Sequence, residues 1–211
     1  MYKASVILIV LFLFTFVVLL NSCSEDEHVS KFDRDPLIPL ALGNSWTYYV
    51  WMVVDGSEES SSQWTMSVLD TLNLGFRYYF VQYDTPETIK FLRANYDGVY
   101  RLISSVPPWQ ELLIWPDHVS VGDTFEYPDG WMTDDVPGVL ICEGVNIEVI
   151  NGDLNYPGCI QYHFEGETGW LTCWHKYWLK PGLGIVREEG EYSMNGHFYQ
   201  YWQELSYPIS H

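Results

Sequence analysis

The chain has 211 residues, with 10 Lys and Arg against 28 Asp and Glu, a formal net charge of −18. That balance excludes nucleic acid as a partner, because phosphates demand a basic patch, and it excludes lying flat on anionic lipid. At 47% hydrophobic and 18% charged residues, with 17% aromatics, the composition is that of a globular body with a sizeable core rather than a disordered chain.

The first segment is not part of that body. Met1, Tyr2 and Lys3 precede an uncharged run from Ala4 to Leu20, and Leu20-Asn21-Ser22-Cys23 follows directly. A basic start and an unbroken apolar run of this length read as a secretory signal over residues 1–22. The alternative is an uncleaved anchor, for which about 20 apolar residues are the usual requirement. LNSC resembles the lipobox of bacterial lipoproteins, with Asn21 where a small residue is usual. The resemblance implies diacylglycerol attachment at Cys23, cleavage before it, and acylation of the new N-terminus. It also implies a bacterial cell-envelope location, most simply the outer membrane, with the membrane as a partner through the lipid anchor. Residues 23–36 then form the lipidated cysteine and an acidic tether, and residues 37–211 one folded domain.

Period-two alternation dominates that domain. Trp46 to Val54 opens it. In Gln63 to Leu69, Trp64, Met66 and Val68 face one way while Gln63, Thr65 and Ser67 face the other. Phe76 to Tyr83 and Thr88 to Tyr96 continue in aromatic and β-branched style. Asp97-Gly98 suits a type I′ hairpin turn. Pro107, Pro108 and Pro116 bracket WQELLIW and bar it from a sheet interior. Asp129-Gly130 is a second candidate turn. Val139 to Ile150, turned by Asn151-Gly152-Asp153, leads into a meander of Cys159 to Glu165, Trp170 to Trp178, Leu183 to Glu189 and His197 to Leu205. Helical periodicity is sustained nowhere in it. The expectation is all-β, with roughly ten antiparallel strands in a single curved sheet or incomplete barrel.

PLALGNSWTYYV resembles the PLxxGNxWxY opening of a group of secreted bacterial lipoproteins, and YWLKPGLGIVREEGEY resembles their PGxGxV closing segment. Gly43, Asn44 and Trp46 carry the first match, and Pro181, Gly182, Gly184 and Val186 the second. The resemblance implies a curved antiparallel architecture similar to the half-barrel of lipoprotein carriers, and it assigns no functional residues. Independently, Pro181-Gly182 suits a type II turn, and Gly184 a bulge in the next strand.

No GxSxG, HExxH, Walker or dinucleotide signature occurs, so no cofactor is implied and the chain reads as non-enzymatic. If Glu165 pairs with Trp170, His163 lies opposite Thr172 and His175 opposite Ile160. The two imidazoles then point to opposite faces and share no metal. Asn151 to Asn155 offers calcium-type oxygens but reads better as a turn. Cys142, Cys159 and Cys173 allow at most one disulfide, and an offset of three residues disfavours Cys159 with Cys173. Asp134-Asp135, Glu165 with Glu167, and Glu188-Glu189 keep open a glycan hydrolase with paired carboxylates. A structural subunit that binds through a sheet edge is a further alternative. The densest signal is aromatic. Trp170, Trp174 and Trp178 are expected on one strand face, with Trp202 nearby, either as a surface for an amphiphile, a glycan or an envelope protein or as core that fills the curled sheet.

Overall fold

Strand follows strand with no helix between them in the computed structural model, which describes residues 35–83, 89–104, 107–128, 130 and 136–210. The strands are β1 (Ser45–Val54), β2 (Ser57–Asn73), β3 (Arg77–Tyr83), β4 (Ile89–Asn95), β5 (Gly98–Ser104), β6 (Gln110–Pro116), β7 (Thr124–Tyr127), β8 (Gly138–Asn151), β9 (Leu154–Glu167), β10 (Leu171–Lys180), β11 (Gly184–Met194) and β12 (His197–Ser210). All lie in one antiparallel sheet of order β6-β5-β4-β3-β2-β1-β12-β11-β10-β9-β8-β7. Asp33–His211 forms a compact unit of its own. The signal segment, Cys23 and most of the tether lie outside the described residues.

Every strand is hydrogen-bonded to its sequence neighbour except at one step, and β12 returns to β1. The break falls between β6 and β7, so the sheet is an up-and-down ring left open at one seam. It curls until the two edges meet without pairing. Tyr127 of β7 donates its hydroxyl to the Leu113 carbonyl of β6 at 2.7 Å, the Tyr162 hydroxyl of β9 donates to the Pro116 carbonyl, and the Trp115 ring lies edge-on to Tyr177 of β10 at 5.8 Å. The incomplete barrel expected from the alternation is what forms, with twelve strands. The proline-bracketed segment is β6, at the sheet edge, as its missing donors require.

One turn differs from the sequence reading, and the other candidate, Asp129-Gly130, has Asp129 outside the described residues. Asx-type bonding from the Asn95 side chain to the Asp97 and Gly98 amides, at 2.9 and 3.2 Å, closes the β4–β5 hairpin around Tyr96-Asp97. Gly98 is needed for another reason: a Cβ there would sit 2.1 Å from the Trp115 carbonyl oxygen. The type I′ turns are elsewhere, at Asp55-Gly56 and Asn195-Gly196, where all four residues have positive φ.

The two motif segments meet. Leu183 N–H bonds the Lys180 carbonyl at 2.9 Å across Pro181-Gly182, and Gly182 has φ +79° as a type II turn demands. The Gly182 amide donates to the Pro36 carbonyl at 2.7 Å, and Trp46 Nε1 donates to the Leu183 carbonyl at 2.6 Å. Leu37 and Ile38, both buried, complete the plug. The bulge falls at Val186, since Leu179 pairs with Ile185 but Trp178 with Arg187. This packing closes the end of the curl where β1 and β11 begin. The β1–β2, β9–β10 and β11–β12 turns lie at the other end.

Candidate functional site

Strand parity decides what faces the interior. Along β10 the residues Cys173, His175, Tyr177 and Leu179 point inward, and Trp174, Lys176 and Trp178 point outward. Cys173, His175 and Tyr177, with counterparts on β1, β2, β11 and β12, line a cavity of about 430 Å³, within the usual range of ~300–1,000 Å³ for small-ligand sites. Met52, Trp64, Met66, Leu171, Ile185 and Met194 supply apolar wall, and Lys90 approaches from β4.

A polar cluster is set into that wall. Register places Tyr177 opposite Glu188 and Glu188 opposite Gln203, with His175 opposite Gly190 and Gly190 opposite Tyr201 in the adjacent row. Gly190 leaves a gap that the Tyr201 ring fills, for a Cβ there would lie 2.6 Å from a ring carbon. Lying across β11, Tyr201 donates its hydroxyl to Glu188 Oε1 at 2.6 Å. Gln203 Nε2 donates to the other carboxylate oxygen. His175 Nδ1 bonds the Tyr201 oxygen and lies 3.3 Å from the Tyr177 hydroxyl and 3.7 Å from Glu188 Oε1. With the phenolic proton committed to Glu188, Nδ1–H is the donor to Tyr201.

The charges follow from this geometry. Burial opposes the imidazolium, but the neighbouring Cys173 and the Glu188 carboxylate 3.7 Å away outweigh it and push His175 up to about 9. Burial, then the adjacent carboxylate, holds the Tyr201 phenol well above its ordinary range. Both shifts favour an imidazolium at His175 and a neutral phenol at Tyr201, the phenol lying between the imidazole and Glu188.

Exposure falls steadily along the inner face of β10 and the turn before it. Trp170 is 60% exposed, Cys173 8%, His175 7%, Tyr177 2% and Leu179 0%. The cavity therefore opens at the end that carries the β9–β10 and β11–β12 turns, between Trp170, Leu171 and Met194, and its polar cluster sits below an apolar mouth.

The four tryptophans expected to form one surface are divided. Trp170 precedes β10 in a turn where its amide and that of Leu171 bond the Thr168 hydroxyl, at 3.4 and 3.2 Å, so it leaves the strand alternation and lines the cavity mouth. Trp174, Trp178 and Trp202 lie on the outer face, each engaged by a neighbour. Trp174 Nε1 donates to Glu191 at 2.8 Å, Arg187 covers the Trp178 ring at 5.4 Å, and Trp202 stacks on Trp51 at 5.7 Å. Trp174 also borders a more open groove of about 780 Å³ with Glu126, Glu165, Glu167 and Glu191.

The proposed β9–β10 register is off by four residues: His163 pairs with Lys176 and His175 with Phe164. An even shift preserves faces, so the two histidines do point to opposite sides. His163 Nδ1 lies 2.8 Å from Glu143 Oε1, where Lys176 also bonds the same carboxylate at 2.9 Å. Glu188 and Glu189 likewise face opposite ways, Glu189 being held outside by Arg187 Nε at 2.8 Å. Asp134-Asp135 lies outside the described residues. Asn151 to Asn155 is a turn, with Asn151 Nδ2 bonding the Val186 carbonyl at 2.7 Å. Cys142, Cys159 and Cys173 are buried free thiols. Among the described residues no three His, Cys, Asp or Glu side chains gather around a metal-sized space.

Fold and cavity together define an open, curled antiparallel sheet with an amphipathic cavity on its inner face. No family model matches the chain, and no curated protein matches it. Two solved structures are similar. One, from Bacteroides fragilis, is provisionally described as an exported protein with a YmcC-like fold; it is 13% identical, covers 84% of this chain and 100% of its own, and has a TM-score of 0.47. The other, from Parabacteroides distasonis, is provisionally described as a lipoprotein, at 11% identity, the same coverages and a TM-score of 0.40.

Proposed function

We propose that this chain is a non-enzymatic lipoprotein of the bacterial envelope, held at the outer membrane by acylated Cys23, whose β domain binds a single-chain amphiphile inside the curled sheet. The carrying observation is the cavity of about 430 Å³, with apolar walls and one internally satisfied polar cluster. Its methionines give a wall that adapts to a flexible chain, as thioether side chains do at tolerant binding surfaces. The anchor rests on the signal segment and on LNSC ending at Cys23. Sheet-edge binding of a partner has less support, because β6 and β7 turn their edges toward each other across one seam.

Native mass spectrometry of residues 24–211, secreted without the lipid and purified without detergent, tests this reading. The expected result is a mass excess that dissociates as an amphiphile, or uptake of one equivalent of a long-chain amphiphile by stripped protein. A bare polypeptide that takes up no amphiphile overturns it.

A further inference from the structure

We infer that the ligand enters head first and that its head is uncharged, a hydroxyl or amide rather than a carboxylate, phosphate or ammonium. This rests on the amphiphile reading above and adds the chemistry and direction of the occupant.

Direction follows from where polarity lies. A cavity that received a tail first would be apolar at its depth and polar at its mouth. Here the order is reversed. Trp170, Leu171 and Met194 form the mouth, and His175, Glu188 and Gln203 lie deeper, where exposure has fallen below a tenth at His175 and Tyr177. Below them, Leu37 and Ile38 plug the closed end. From Tyr177 to Leu171 the strand spans ~20 Å at about 3.4 Å per residue, the length of a long acyl chain laid toward the mouth.

Charge follows from what the cluster already contains. The imidazolium of His175 and the carboxylate of Glu188 cancel, and the carboxylate has filled an acceptor site on each oxygen with Tyr201 and Gln203. Lys90, farther round the wall, is already engaged in an interaction of its own. A third charge brought to this depth would lose its hydration beside an imidazole–carboxylate pair whose charges already oppose each other. An uncharged head meets no such penalty. The Gln203 amide oxygen, whose NH₂ is spent on Glu188, accepts from a ligand hydroxyl or amide N–H, and the Tyr177 and Tyr192 hydroxyls stand in the same lining.

The test is a binding panel on residues 24–211 at neutral pH with three probes of one chain length, each below its micelle concentration: monomyristoylglycerol, myristate and tetradecylammonium. Monomyristoylglycerol is expected to bind about tenfold or more tighter than either ion, a difference of about 1.4 kcal/mol. A monoacylglycerol brominated at its chain end is expected to quench tryptophan emission, with most of that quenching lost in Trp170→Phe. Myristate or tetradecylammonium binding as tightly as the glyceride overturns the uncharged head while the amphiphile reading stands. Chain-end quenching unaltered by Trp170→Phe overturns the head-first direction. Binding of none of the three overturns the reading on which both rest.

Discussion

Gly190→Ala is the substitution that most directly tests how the cavity is built. The added Cβ would lie 2.6 Å from a Tyr201 ring carbon and 2.8 Å from its Cζ and hydroxyl oxygen. Unstrained contacts begin at ~3.5 Å, so the ring must retreat by about 1 Å. Retreat carries the phenol away from Glu188, where its bond is 2.6 Å, and away from His175. Hydrogen bonds to charged groups contribute about 1.5–3 kcal/mol each, and two are weakened together. Against this, alanine lowers the entropy of the unfolded chain and offsets about 0.5–1 kcal/mol, because φ at Gly190 is not in the left-handed region. The net expectation is a loss of about 2–4 kcal/mol, or a fall in Tm of roughly 5–15 °C for a domain of this size. Urea unfolding followed by tryptophan fluorescence measures it, with Gly169→Ala as the control, since a Cβ there meets nothing within 4 Å. A Gly190→Ala protein within about 0.5 kcal/mol of wild type would refute the idea that the missing side chain is what seats Tyr201.

Other outcomes follow from the same contacts. His175 is raised from 6.5 to about 9 on folding, so its contribution to stability is complete below pH 6.5 and is lost as pH rises through about 9; denaturation curves across that interval should show the decline in wild type and not in His175→Gln. Glu111 is the opposite case, because bidentate Arg93 (2.8 and 2.7 Å), working against burial and aided by the Tyr78 hydroxyl, holds its pKa below 4.5. Its stabilisation is present above that value and lost as pH falls through the folded pKa, so Glu111→Gln should flatten the acid limb of a stability–pH profile. Trp46→Phe keeps a benzene ring but removes the buried pyrrole half of the indole and its 2.6 Å bond to the Leu183 carbonyl, and should lower the unfolding free energy by about 2 kcal/mol or more in urea titration. Cys142 and Cys159 are both pushed up by burial, Cys159 to about 11; neither should react with a thiol reagent in the native state, and mass mapping without reduction should show no disulfide.

Strand existence was legible because period two is strong wherever one face is buried. In β2, Met66 and Val68 are buried and Gln63 is exposed, as their alternation implies. Extents were less legible. Ser57 to Ser62 extends β2 to the Asp55-Gly56 turn although its serines and glutamates carry little strand signal, because pairing with β1 settles the matter. The four-residue β7 had no pattern long enough to read, and it forms because β8 offers it an edge. At the Asp97-Gly98 pair, local turn chemistry and tertiary approach both favour glycine. The Asn95 side chain closes the turn and the Trp115 carbonyl demands Gly98, a contact with a segment seventeen residues on that no local pattern reveals.

The site was harder to read for a related reason. Tryptophan density marked β10 and β12, but the face on which a side chain lies depends on parity within the actual strand, and Trp170 sits one residue before β10 begins. The outward Trp174, Trp178 and Trp202 made the signal, while the inward set was signalled more quietly by His175 and Gln203 at positions otherwise filled by Tyr177, Leu179 and Leu205. A polar residue in the buried half of an alternating strand must find a partner, so it points to other strands whose buried half also breaks the rule. Applied across β10, β11 and β12, that criterion selects His175, Glu188 and Gln203, and the ladder brings Glu188 beside Gln203, one row from His175. Gly190 completes the set, since a glycine facing the same interior leaves space for a large neighbour, and Tyr201 is the residue directly across. Exceptions to alternation, more than the aromatics that obey it, carry the information about this cavity.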